Sequence, residues 1–200
     1  MPRQSTRLLG FRVSVRNRLC VPCGRIRGRI PTDTEERGTG MDLTAVANEW
    51  YTRLRTSGRD TPMNASTAKV LGEALADPEG QAVLIAGMVA PDRRPGEMAA
   101  MAGSLRDEFS HLYMSRSFRP DRDALTAADR DLTALGAGFG WRALVSWFAS
   151  DMYRMAICLI GAARSGEDTA LVRCLTFAAT AGLGAFGTEV EPVDLPALVS

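Results

Sequence analysis

Residues 141–164 read WRALVSWFASDMYRMAICLIGAAR, and their reading decides the fold. The stretch has the length of a bilayer-spanning helix. Asp151 and Arg154 lie near its middle, where each charge would cost about 2.5–3.5 kcal/mol on insertion scales. Wound at 3.6 residues per turn, Leu144, Phe148, Met152, Met155 and Leu159 gather on one side, with Trp141 and Val145 beside them. Arg142, Ser146, Ser150, Arg154 and Arg164 gather on the other. A membrane span is apolar all round, whereas a helix with a polar stripe packs one face on a protein core. The spacing therefore predicts one long core helix over 141–164 and no membrane span.

The same periodicity extends toward the N-terminus. Leu43, Val46, Ala47, Trp50, Tyr51 and Leu54 form one face of a helix that Asp42 can cap and Gly58 can stop. A second helix is expected near 66–76, and Asp77-Pro78 ends it and opens a short apolar third. Over 96–116, Met98, Met101, Leu105, Phe109 and Leu112 share a stripe opposite Ser104, Asp107, Glu108 and His111. Thr126 and Asp129 have capping-box spacing and suggest a short helix through Leu132 and Leu135. A last helix is expected over 167–182. No segment outside the N-terminal arm alternates as a strand. These readings predict an all-α protein, a single helical bundle of about six to seven helices. Trp50, Leu54, Leu105, Phe109, Leu112, Phe148, Met152 and Leu159 should be buried.

The chain has 200 residues, 46% hydrophobic and 24% charged, with a net charge of +1. That composition suits a globular domain. The charge is uneven. Residues 1–40 hold nine arginines against three acids, and residues 41–200 hold fifteen cations against twenty acids. The organisation expected is a disordered basic arm over 1–41, a helical domain over 42–187 and a loose acidic tail over 188–200. Arg3, Arg7, Arg12, Arg16, Arg18, Arg25, Arg27 and Arg29 are the arm's candidate phosphate contacts. A second reading starts translation at Met41, where composition switches from arginine-rich to amphipathic. Glu35-Glu36-Arg37-Gly38 can be written in purine-rich codons like those of a bacterial ribosome-binding site. Nucleic acid is then a partner only if residues 1–40 are translated. The balance of 23 arginines to one lysine suggests a bacterial source of high GC content.

Candidate chemistry is sparse. Cys20 and Cys23 make one Cys-x-x-Cys with no second close pair, so a four-cysteine zinc site is not expected. Cys158 and Cys174 read as reduced thiols, consistent with a cytoplasmic setting. His111 is the only histidine, and Glu108-x-x-His111 lacks the second motif that a di-iron bundle needs. It reads as part of a solvated face. Gly136-Ala-Gly138-Phe-Gly140 precedes a helix whose N–H groups can bind an anion with help from Arg142. A helix–helix turn capped by Gly136 accounts for it better. No cofactor motif and no metal set is found.

What remains is a pocket between helices 96–116 and 141–164, flanked by Met98, Met101, Met152 and Met155. Its polar residues would be Tyr113, Asp151, Tyr153 and Arg154, with Asp151 and Arg154 close enough to pair along the helix. The leading expectation is a non-enzymatic ligand-binding or regulatory module with a small-molecule or protein partner. A nucleic-acid-associated protein using the arm is the alternative, and a helical enzyme with that pocket as its site is a second.

Overall fold

The structure is a computed structural model and describes residues 41–55, 61–102, 118, 120–188, 190–193 and 195. By internal contacts the chain divides into Met1–Gly38 and Thr39–Ser200, and every described residue lies in the second unit. Regular structure among these residues is entirely helical. The helices are α1 (Leu43–Arg55), α2 (Ala65–Ala76), α3 (Pro78–Val89), α5 (Arg122–Ala134), α6 (Phe139–Phe148), α7 (Met152–Ser165) and α8 (Ala170–Thr180). Between α3 and α5, residues 95–102 are helical up to the edge of the described stretch and are termed α4. No described helix is long and apolar enough to cross a membrane.

Local chemistry sets the first three elements. Asp42 Oδ1 accepts hydrogen bonds from the Thr44 and Ala45 N–H groups, each at 3.0 Å, so α1 starts capped. Asp77 ends α2 and caps α3, and Pro78 takes the first position of α3, where its missing N–H has no partner to lose. Every residue of α3 from Ala82 to Val89 is buried, the pattern of a helix surrounded by its own core. Trp50 of α1 crosses it closely. Its Nε1–H donates to the Leu84 carbonyl at 2.9 Å, and a Cβ built on Gly87 would stand 2.4 Å from the indole Cδ1. Only glycine leaves room there.

Helices α1, α2 and α3 pack together, as do α6, α7 and α8, and α5 touches both groups. That makes α5 the link on which the charged residues converge. It begins earlier than the Thr126 spacing suggested. Asp121 is its cap, accepting from Asp123 and Ala124, while the Thr126 hydroxyl donates back to the Arg122 carbonyl. A side chain that caps two N–H groups at once wins over one that must bond within the helix.

The stretch 141–164 is not one helix. It breaks between Phe148 and Met152 and folds into the antiparallel pair α6 and α7. Ser150 sits in the left-handed region at φ 58°, and the Asp151 N–H returns to the Ser146 carbonyl at 2.9 Å. Asp151 then caps α7 by accepting from the Arg154 N–H. A terminating residue followed at once by a capping one ends one helix and begins the next. This break raises the helix count above the number expected. Trp50, Leu54, Phe148 and Leu159 are buried as their stripes require, whereas Met152, at the break, is only partly covered. Leu105, Phe109, Leu112 and His111 lie outside the described residues.

Candidate functional site

Two aspartates on α5, Asp129 and Asp131, are separated by about 200° around the helix, so they face different neighbours. Asp131 points toward α1 and is almost completely buried, at 1% exposure. Arg53 meets it in a two-pronged contact, Nε to Oδ2 at 2.7 Å and Nη2 to Oδ1 at 2.8 Å. Arg53 also donates to the Thr61 carbonyl at 3.0 Å, and Arg130 Nε adds a bond to Asp131 Oδ1 at 3.0 Å. The hydrogen bond to Asp131 raises the Arg53 pKa above its ordinary value, and burial works against that rise. With both partners this enclosed, the pair acts as a structural lock between α1 and α5.

Asp129 points the other way, toward α6 and α7. Arg154 Nη2 of α7 donates to its Oδ2. Arg142 Nε of α6 stands 4.0 Å from its Oδ1, too far for a hydrogen bond. Both Asp129 Oδ1 and Arg142 Nε are buried and without a hydrogen-bond partner. Solvent nevertheless reaches the corner. The side chains are 17% exposed at Asp129, 33% at Arg142 and 44% at Arg154. Cys158 of α7 is buried and close enough to feel their charges. Burial pushes its thiol pKa up, Arg142 and Arg154 pull it down, and Asp129 and Asp151 push it up again. A buried, neutral thiol is a poor nucleophile.

Of the residues singled out in the sequence, Arg154 belongs to this corner. Its guanidinium pairs with Asp129 rather than with Asp151, whose carboxylate is used as the α7 cap. Tyr153 is 80% exposed, so it lines no inward pocket. Tyr113, the greater part of the helix expected over 96–116 and the eight arm arginines, Arg3 to Arg29, fall outside the described residues. The sequence reading missed Asp129 as a binding residue and gave Arg142 another role. The available signal was Asp129-Arg130-Asp131, which puts carboxylates on two faces of one helix.

The glycine-rich turn does hold an anion, and the chain supplies it. Glu167 Oε2 accepts from the Phe139 N–H at 2.7 Å and Oε1 from the Gly140 N–H at 3.0 Å, capping α6 from the α7–α8 connection. A Cβ on Gly138 would lie 2.7 Å from that carboxylate. Gly136, at φ 70°, ends α5. Between α7 and α8 lies an open groove of about 480 Å³, lined in part by Leu159, Ala163, Arg173 and Phe177. Among the described residues no group of His, Cys, Asp and Glu is placed to hold a metal ion. Comparison with protein families, with curated proteins and with solved structures finds no match to this chain.

Proposed function

We propose that the helical unit is a non-enzymatic ligand-binding module whose binding face is the corner formed by Asp129, Arg142 and Arg154. One observation carries this reading: arginines from two helices face a single carboxylate of a third, with both arginine side chains partly exposed and Arg142 Nε buried and unbonded. The Arg53–Asp131 pair is closed by two short hydrogen bonds. The Asp129–Arg142 pair is not closed, at 4.0 Å, and its side chains are partly exposed, which suits recognition. Asp129 is drawn from α5, Arg142 from α6 and Arg154 from α7, so occupancy of the corner would be felt by three helices together. A regulatory use follows from that coupling.

Ligand-observed NMR of the full chain tests the reading with compounds of several classes: carboxylates, phosphates, sugars and amines. Hits are expected, and they should disappear in the double variant Arg142→Gln/Arg154→Gln with its helicity unchanged. Hits that persist in that variant, or no hit in any class, would overturn it.

A further inference from the structure

We infer that the ligand group taken by this corner is an oxyanion, a carboxylate or a phosphate, which competes with Asp129 for the two arginines. The inference rests on the binding reading above and names its ligand class. Charge is the first argument. Two guanidiniums face one carboxylate, and Asp151, the other acid near Cys158, has its Oδ1 occupied by the Arg154 backbone N–H. At this corner two cationic side chains face one anionic side chain, while Asp151 keeps its own charge at the α7 cap.

Geometry is the second argument. A guanidinium offers five donors in a planar fork that matches two oxygens of a carboxylate or phosphate. Arg154 gives one side-chain bond to Asp129, and the Arg142 side chain gives none among the described residues. The fork is thus mostly unused. Asp129 lies deeper than either arginine, so an incoming oxyanion meets the cations first.

Asp129 then acts as the chain's own occupant of the site. Removing its charge frees Arg154 and relieves repulsion of the incoming anion, so binding should become tighter. A purely structural ion pair makes no such prediction.

The test is calorimetric titration of the full chain with inorganic phosphate and, separately, with acetate, at constant chloride. The arm's arginines are the same in every variant, so differences between variants report the corner. Saturable binding of at least one oxyanion is expected. Arg142→Gln and Arg154→Gln should each weaken it about tenfold or more, and Asp129→Asn should tighten it several-fold. The tighter-binding probe identifies the source of the oxyanion.

No saturable binding of either probe overturns the inference, as does binding unchanged in both glutamine variants. Weaker binding by a folded Asp129→Asn chain also overturns it. If Asp129→Asn fails to fold, the two glutamine variants decide alone. An uncharged compound that binds and is lost in the double glutamine variant, with no oxyanion bound, refutes the oxyanion class and leaves the binding reading in place.

Discussion

Asp129 and Asp131 are chemically the same side chain, and their surroundings give them different work. Asp131 is enclosed with Arg53, and both its carboxylate oxygens accept hydrogen bonds from within the fold. Removing one member of such a pair strands a buried charge. Asp131→Asn should destabilise the protein by about 3–5 kcal/mol in denaturant unfolding. Asp129 is 17% exposed and incompletely bonded, so on the proposed reading its substitution should act mainly on binding. Cys158 gives a second residue-level expectation. Its folded pKa is raised, so the neutral thiol favours the folded state, and the sign follows. The contribution is full below the ordinary thiol value and is lost as pH rises from there through the raised folded value, because the unfolded chain ionises first. At neutral pH, peptide mapping after alkylation should find exposed Cys174 modified quickly and buried Cys158 only on unfolding.

At the scale of elements, helix periodicity was legible while punctuation was harder to see. The stripes of α1 and α3 are written in single apolar faces or runs, and their caps, Asp42 and Asp77, stand at the boundaries. The break between α6 and α7 was not legible, because Ser150-Asp151 carries neither glycine nor proline and both flanking segments keep the same period. Ser150 adopts a left-handed conformation that glycine accepts more readily. Ser150→Gly should therefore stabilise the chain by about 1 kcal/mol, and Ser150→Val should weaken it. The candidate site was half legible. Arg154 was visible as a charge in an apolar helix, but its partner Asp129 lies 25 residues away in sequence, and only tertiary packing joins them. Glu167 was invisible for the same reason. Its carboxylate caps α6 across 28 residues of chain, so Glu167→Ala should cost about 1–2 kcal/mol, read from the thermal midpoint.

Across the whole helical unit, α3 forms the apolar centre of one group of helices, and α5 joins that group to α6, α7 and α8. Trp50 covers Gly87 so closely that an added Cβ would stand 2.4 Å from the indole Cδ1. Gly87→Ala should destabilise by about 1–3 kcal/mol in denaturant unfolding, because the added methyl would overlap the Trp50 indole, which is also held by its bond to the Leu84 carbonyl. The proposed binding corner lies on the opposite side of α5 from the Arg53–Asp131 lock, so both ion pairs are held by one helix. The most direct measurement of that account follows the arginine Nε–H signals by NMR during addition of inorganic phosphate. The account predicts that the Arg142 and Arg154 signals shift together and saturate, while the Arg53 signal stays in place. Equal drift of all arginine signals, or a shift at Arg53 with none at Arg142, would contradict it.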